Sequence, residues 1–265
     1  MDKAETREER SYEVRLARDA LDLQAAQRLR YQVFVEELGA HCAGADHANR
    51  LEQDALDAHF DHLLLIDRRV APETLSHVVG VYRLLPQERA EALGRFYSDA
   101  EYDLGPLRAS GRKLVELGRS CVHPDHRRGA SMVLLWNGLA EYVIARGIEI
   151  MFGVASFHGA DADQHALALS WLHAHHLAPE ALRVTVHPGA QARAMDLLPP
   201  EGLDKAQALA AIPPLIRAYL RLGGFVGQGA YLDHDFNTTD VCLIMDTSAM
   251  DARAVDHYTR KSPRV

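Results

Sequence analysis

The sequence has few cysteines, no excess of positive charge and no long hydrophobic run, and each shortage excludes a class of protein. Cys42, Cys121 and Cys242 lie far apart, without the spacing of a zinc site, so we expect reduced thiols in a cytoplasmic protein. The formal net charge of −8 argues against a general nucleic-acid binder. No apolar run approaches the roughly 20 residues of a membrane helix, and the charged N-terminus predicts no secretory signal.

The 265-residue chain is 48% hydrophobic, which is enough for a sizeable core. We predict a disordered segment at 1–10, a single domain at 11–247 with a helical insertion at about 178–222, and a tail at 248–265. Hydrophobic patterns predict strands at 12–17, whose alternation indicates an edge strand, at 60–67 and 78–85, which are expected to form a hairpin, and at 113–122, 148–156, 226–232 and 239–245. They predict helices at 22–38, with Asp22 as the cap, at 129–146, ended by Gly147, at 163–175, and at 206–222, where Pro213 and Pro214 interrupt or restart the helix. This order indicates an α/β fold with a central, mixed, twisted sheet flanked by helices.

The most informative segment runs from residue 114 to 130, where a buried strand with one carboxylate precedes a basic turn and an apolar helix. Backbone N–H groups at the start of such a helix favour a bound phosphate. Glu116 is the candidate general base, because burial of a carboxylate favours proton abstraction; a structural pair with an arginine is the alternative. Arg119 points to the opposite face of an ideal strand, so a pair with Glu116 would need a bulge.

Two sets of motifs carry a family resemblance. The acyl-homoserine-lactone synthases have motifs similar to those at 29–34 (LRYQVF), 54–57 (DALD), 82–86 (YRLLP) and 116–119 (ELGR). The ornithine-lipid N-acyltransferases have motifs similar to those at 94–98 (GRFYS), 116–124 (ELGRSCVHP), 152–157 (FGVASF) and 235–241 (DFNTTDV). The last two motifs are absent from the lactone synthases. The chain therefore resembles the ornithine-lipid family more closely, from about residue 12 to 247, and this implies a GNAT-like acyltransferase fold.

The resemblance implies transfer of a 3-hydroxyacyl chain from acyl carrier protein to the α-amine of L-ornithine, giving lyso-ornithine lipid as the first step of ornithine lipid biosynthesis. The acyl-phosphopantetheine of the carrier protein is the expected co-substrate, with no further cofactor and no metal. Because the product would enter a bilayer, we expect a cytoplasmic enzyme that docks peripherally on the inner membrane, with the helix at 206–222 as a candidate contact. Two alternatives remain open. One is an N-acyl amino acid or acyl-homoserine-lactone synthase with another amine acceptor, and the other is a non-catalytic module that binds carrier protein or membrane.

The donor-binding candidates surround the basic turn. They are Arg119, Arg127, Arg128, Gly129 and Ala130. The turn departs from the coenzyme A loop of the superfamily, Q/R-x-x-G-x-G/A, because His126 takes the first place and Ser131 the last. This departure favours a carrier protein as the donor. Arg108, Arg112 and Lys113 add to a basic concentration that would attract an acidic carrier, and a solvated charged face is the alternative.

The acceptor-binding candidates resemble lactone-synthase positions that shape the acceptor and carrier sites. They are Arg30, Phe34, Asp54, Asp57 and Arg83. The two aspartates suit the cationic amines of ornithine, and loop solvation or helix capping is the alternative. Arg83 either binds the acceptor carboxylate with both arms of its guanidinium or pairs with an aspartate. A second candidate group for the side-chain amine is Asp235, Asn237 and Asp240.

Overall fold

A computed structural model describes residues 11–128 and 130–248. The chain forms two compact units, whose described parts are 11–89, 117–128 and 130–147 in the first unit and 90–116 and 148–248 in the second. The predictions for residues 1–10, for Gly129 and for the tail beyond residue 248 lie outside the described residues.

The strands of the two units, in chain order, are β1 Tyr12–Leu16, β2 Ala45–Asp46, β3 Leu51–Glu52, β4 Asp61–Asp67, β5 Val78–Pro86, β6 Tyr102–Asp103, β7 Leu114–Val122, β8 Ile150–His158, β9 Thr185–Val186, β10 Ala192–Arg193, β11 Phe225–Val226, β12 Ala230–Asp233 and β13 Thr238–Asp246. The helices are α1 Ala20–Arg30, α2 Gln87–Leu93, α3 Gly105–Ala109, α4 Ser131–Arg146, α5 Ala166–His176, α6 Lys205–Ala211 and α7 Pro214–Arg221. A π-helical segment, Tyr31–Glu37, follows α1 directly. These elements confirm the predicted mixed α/β class.

The sheet of the first unit is antiparallel where β1, β4 and β5 pair in that order, and β1 is the edge strand that its alternating pattern predicts. The second half of β7 flanks β5, since the N–H of His123 just beyond it donates to the carbonyl of Val79 at 2.9 Å. Helix α1 covers one face through Ala25, Ala26 and Leu29, which pack in one buried cluster with apolar residues of β4 and β5. This packing fixes the end of α1, where the charged site begins.

Helix α1 begins earlier than predicted. Its N-cap is Asp19, whose side chain accepts the N–H of Asp22 at 2.9 Å. Asp22 is not the cap because its carboxylate is buried against Arg15, whose two terminal nitrogens donate to it at 2.5 and 3.0 Å. The prediction that Asp22 caps the helix was therefore wrong by three positions, although the residue type was right.

The second unit begins its sheet with the first three residues of β7, which pair with β8 in parallel from Leu114 to Glu116. β8 pairs antiparallel with β13, and β12 and β10 extend the sheet beyond it. The predicted strand at 226–232 is divided between β11 and β12 at Gly227 and Gly229. A Cβ at Gly227 would lie 2.6 Å from Val184 Cγ2, and Gly229 has a φ of +85°. Both positions therefore require glycine, and the chain turns there.

The predicted helix at 206–222 is two helices, α6 and α7, divided at Pro213 and Pro214. Proline lacks the N–H that a helix interior needs, so it begins a new helix instead of continuing the old one. Among the helices within residues 11–128 and 130–248, none has both the length and the apolar character to cross a membrane.

Candidate active site

Arg30 lies at the centre of a buried charged network in the first unit. It is fully buried at the end of α1, and its Nε donates to Glu52 Oε2 at 2.5 Å. Its Nη1 and Nη2 donate to the two oxygens of Asp57 at 2.7 and 2.9 Å. Gln27, one helical turn earlier, also donates to Asp57, at 2.9 Å. A guanidinium held on two carboxylates compensates charges that would be costly to bury alone.

Arg83, on β5, extends this network towards solvent. Its Nη1 donates to Asp54 Oδ2 at 2.7 Å and to Asp57 Oδ1 at 3.0 Å, and its guanidinium carbon lies 4.2 Å from the ring centre of Phe60. Of the two roles considered for Arg83, the structure shows the pair with the aspartates. The side chain of Asp54 is 25% exposed, against 5% for Asp57. Asp54 is therefore the more open of the two aspartates.

The two aspartates remain ionised. Burial would raise the pKa of Asp57, but hydrogen bonds and charge from Arg30, with the charge of Arg83, hold that pKa well below its usual range. Burial acts in the same direction on Asp54, where the charge and hydrogen bond of Arg83 outweigh it and lower the pKa. Both carboxylates can therefore neutralise a cation at neutral pH.

Arg119 joins the network from β7 in a left-handed backbone conformation, with a φ of +48°. Its Nε lies 3.4 Å from Glu52 Oε1, and one Nη lies 3.9 Å from Asp54 Oδ2. A positive φ is uncommon for a non-glycine residue and interrupts the regular alternation of side chains along the strand at this position. Sequence reasoning assigned no role to Glu52, which is only 1% exposed; its position two residues before Asp54 was the only signal.

Glu116 is buried in the second unit and accepts hydrogen bonds from three neutral donors. Its Oε2 accepts the N–H of Tyr97 at 2.6 Å, and its Oε1 accepts the N–H of Ser98 at 2.7 Å and also the Ser98 hydroxyl. The motif GRFYS supplies both donor residues, although sequence reasoning assigned neither a role. Glu116 therefore fixes the loop that contains Tyr97 and Ser98, and its role as a base stays a prediction.

The basic turn presents fewer unneutralised charges than the sequence suggests. Arg127 donates from both terminal nitrogens to the carboxylate of Glu37, at 2.6 Å each, and from Nε to the carbonyl of Val122 at 2.9 Å. Ala130 takes the N-cap position of α4, and Arg128 is exposed. Arg108 and Arg112, in the second unit, each bind an aspartate, Asp99 and Asp246 respectively.

Two further predicted site residues, Phe34 and Asp240, lie in different units of the structure. Phe34, in the π-helical segment, packs against the apolar cluster beneath α1. In the second unit, carboxylate oxygens of Glu101, Asp233 and Asp240 lie within 4.8 Å of one another. Only Asp240 belonged to the second candidate group for the side-chain amine. Three oxygens are fewer than the roughly 6 to 8 that Ca²⁺ takes, so the cluster by itself does not make a calcium site.

Comparisons with known proteins decide the family. Residues 29–137 match the acetyltransferase (GNAT) domain family. The L-ornithine N(alpha)-acyltransferase of Rhodobacter capsulatus is 61% identical to this chain over 251 residues, which cover 95% of this chain and 96% of that protein. The chain belongs to the L-ornithine N(alpha)-acyltransferase family. The family member of Rhizobium meliloti is 43% identical, over 93% of this chain and 83% of its own.

Membership confirms the predicted family and the acyltransferase class of the L-ornithine N(alpha)-acyltransferases. A solved structure supports the fold. TofI, crystallised in a ternary complex with an inhibitor and MTA, gives a TM-score of 0.52 at 18% identity, over 95% of this chain and 100% of that one. At that identity the likeness concerns the fold alone, and it agrees with the predicted GNAT-like architecture.

Proposed function

We propose that this acyltransferase moves a 3-hydroxyacyl chain from acyl carrier protein to the α-amine of L-ornithine. The observation that carries the proposal is 61% identity, over 95% of the chain, to an enzyme named for this acceptor. The reaction forms an amide, breaks the thioester of the phosphopantetheine arm and releases its thiol. The product is lyso-ornithine lipid, and its acyl chain gives a reason for peripheral docking of a cytoplasmic enzyme on the inner membrane.

Glu116 is the proposed general base. The ornithine ammonium must lose a proton before its nitrogen attacks the thioester carbonyl, and a buried, oriented carboxylate can take that proton. The donors at Tyr97 and Ser98 hold both carboxylate oxygens in place. The amine nitrogen then forms the tetrahedral intermediate, the C–S bond breaks, and the departing thiolate takes up a proton.

The charged network of the first unit is the proposed acceptor site. Asp54 has the open side chain and the ionised carboxylate that an ammonium group of ornithine needs. Arg83 already donates to Asp54 and can share its guanidinium with the acceptor carboxylate. Arg30 and Asp57 hold these groups from beneath, and Phe34 shapes the neighbouring apolar surface.

The turn before α4 is the proposed donor site. Arg127 and Arg128 supply positive charge there, and Ala130 is the N-cap of a helix whose first N–H groups favour an anion. Arg119 is the donor-binding candidate on β7, where it also contacts Glu52 and Asp54 of the charged network. The phosphate of acyl-phosphopantetheine is the proposed ligand at this turn.

The test is an assay of the purified protein with 3-hydroxyacyl carrier protein and L-ornithine, with the product identified by mass spectrometry. We expect ornithine acylated on its α-nitrogen, and less product with acyl-coenzyme A. Lysine, glycine and S-adenosylmethionine serve as competing acceptors. Lactone or another amide as the main product would favour a synthase with a different acceptor. Carrier-protein binding without turnover on any amine would favour a non-catalytic module.

A further inference from the structure

Arg127 and Glu37 form a bidentate ion pair at an exposed site. Both terminal nitrogens of the guanidinium bind both oxygens of one carboxylate, at 2.6 Å each. The side chain of Arg127 is 42% exposed and that of Glu37 is 32% exposed. The pair therefore lies within reach of solutes, and it joins the π-helical segment to the turn before α4, both within the first unit.

The orientation of the guanidinium is set independently of Glu37. Arg127 Nε donates to the carbonyl of Val122 at 2.9 Å, which directs the two terminal nitrogens outward as a fixed fork. Such a fork binds carboxylate and phosphate in the same bidentate way. The carboxylate of Glu37 therefore occupies the place where a phosphoryl group would bind.

We infer that Glu37 is an intramolecular competitor for the phosphoryl group of the acyl donor at Arg127. The inference rests on the donor-binding role proposed above for Arg127. An incoming phosphoryl oxygen displaces the Glu37 carboxylate from the fork, and Glu37 turns to solvent. Exposed ion pairs are weak and are screened by salt, so this exchange is readily reversible. Glu37 thus sets how tightly the donor is held, and the expected effect of its removal is tighter donor binding.

The chain contains a matched control in the neighbouring residue. Glu36 makes an equally exposed bidentate pair with Arg50, at 2.7 and 2.5 Å, on the same π-helical segment. Arg50 lies in the loop just before β3, away in sequence from the turn before α4. Glu36→Gln therefore removes the same kind of ion pair without releasing Arg127.

The experiment measures the KM for 3-hydroxyacyl carrier protein and, separately, for acyl-coenzyme A, in Glu37→Gln, Glu36→Gln, Arg127→Gln and the Glu37→Gln/Arg127→Gln double variant. Glu37→Gln is expected to lower the donor KM about two- to fivefold at low salt, the range that one exposed pair can supply. The decrease should fade at 0.5 M salt. Arg127→Gln should raise the KM and cancel the effect of Glu37→Gln, while Glu36→Gln should leave the KM unchanged.

The sign of the change separates competition from a structural role. If Glu37 only holds the turn in shape, Glu37→Gln raises the donor KM, and the inference is overturned. An equal decrease in Glu36→Gln would indicate a general charge effect and would also overturn it. A decrease in the KM for both donors points to the phosphate that they share. A decrease in KM confined to the carrier protein would point to its acidic surface and overturn the phosphoryl assignment.

Failure of the inference can be distinguished from failure of the proposed function. If Arg127→Gln leaves the donor KM unchanged, the proposed role of Arg127 fails as well. Absence of ornithine acylation by the unmodified enzyme contradicts the proposed function itself.

Discussion

The charged network of the first unit and the Glu116 site of the second are stabilised in different ways. In the first unit, Glu52 and Asp57 are held by the positive charge of Arg30. In the second, Glu116 is held by two backbone N–H groups and a serine hydroxyl. A site built from opposite charges fails when either sign is removed, because the other stays buried without compensation. A site built from neutral donors can accept an uncharged replacement of the same shape, so its charge can be tested while the fold is kept.

The largest expected effect is on the charged network. Arg30→Met leaves Glu52 and Asp57 buried without their counter-charge, and we expect a loss of about 3–5 kcal/mol of unfolding free energy. Urea unfolding measures it. Arg28→Met is the control, since Arg28 on the same helix donates to the exposed backbone carbonyl of Asn49 at 2.9 Å and should cost less than about 1 kcal/mol. Equal losses in the two variants would contradict the central role of Arg30.

The second effect concerns Glu116, where charge and shape can be separated. Glu116→Gln keeps the side-chain shape and one acceptor oxygen, so we expect a loss of about 1–2 kcal/mol of stability and loss of acylation. Ser98→Ala removes only the hydroxyl donor and should cost about 1 kcal/mol while acylation continues at a reduced rate. Unfolding curves and a product assay distinguish the two. Full acylation by Glu116→Gln would exclude Glu116 as the base.

The third effect is the pH dependence of the first unit. Burial alone would raise the pKa of Asp22, but hydrogen bonds from Arg15 and from the N–H of Arg18 lower it to about 2. Because the pKa of Asp22 is lower in the folded protein than its unfolded value of about 4, the ionised carboxylate stabilises the fold at pH values above about 4. This stabilisation is lost as the pH falls from about 4 to 2. We expect this contribution of Asp22 to the free energy of unfolding to be about 1–2 kcal/mol after solvent screening. Acid titration of unfolding should show a smaller loss in Asp22→Asn, and an unchanged curve would contradict the shift.

The smallest effect separates the backbone of Arg119 from its side chain. At a φ of +48°, glycine is unstrained and alanine is strained, so Arg119→Gly should be about 1 kcal/mol more stable than Arg119→Ala. Both variants lose the contact with Glu52, which makes each the control for the other. Thermal unfolding of the pair measures the difference, and a more stable alanine variant would indicate that the strand straightens when the guanidinium is removed.

Sequence reasoning predicted much of the fold because strands and helices have local patterns. The hairpin of β4 and β5, the break at Pro213 and the left-handed Gly147 after α4 all depend on neighbours in the chain. The family resemblance also identified four acceptor-binding candidates that lie in the charged network, namely Arg30, Asp54, Asp57 and Arg83. Sequence reasoning left open whether Arg83 binds an aspartate, because that contact joins residues 26 and 29 positions apart.

Other features could not be predicted because they exist only after folding. The role of Glu52 comes from its contact with Arg30, 22 positions earlier, and the only local sign of it is the position two residues before Asp54. The positive φ of Arg119 is not a preference of arginine and is stabilised by distant carboxylates. The donors to Glu116 come largely from backbone N–H groups, which every residue except proline carries, so the motif GRFYS marked the loop without showing its contact with Glu116.

The π-helical segment after α1 has a consequence for the spacing of the chain. The N–H of Leu38 bonds to the carbonyl of Val33, five residues earlier, so this turn contains one residue more than an α-helical turn. Deleting that residue would restore the α-helical ladder and rotate everything after it by about 100° around the helix axis. Glu37 would then leave the side that faces Arg127 without any change in its own chemistry. Segment length, as much as residue type, is therefore under constraint at Tyr31–Glu37, and insertions or deletions there should be tolerated less than substitutions.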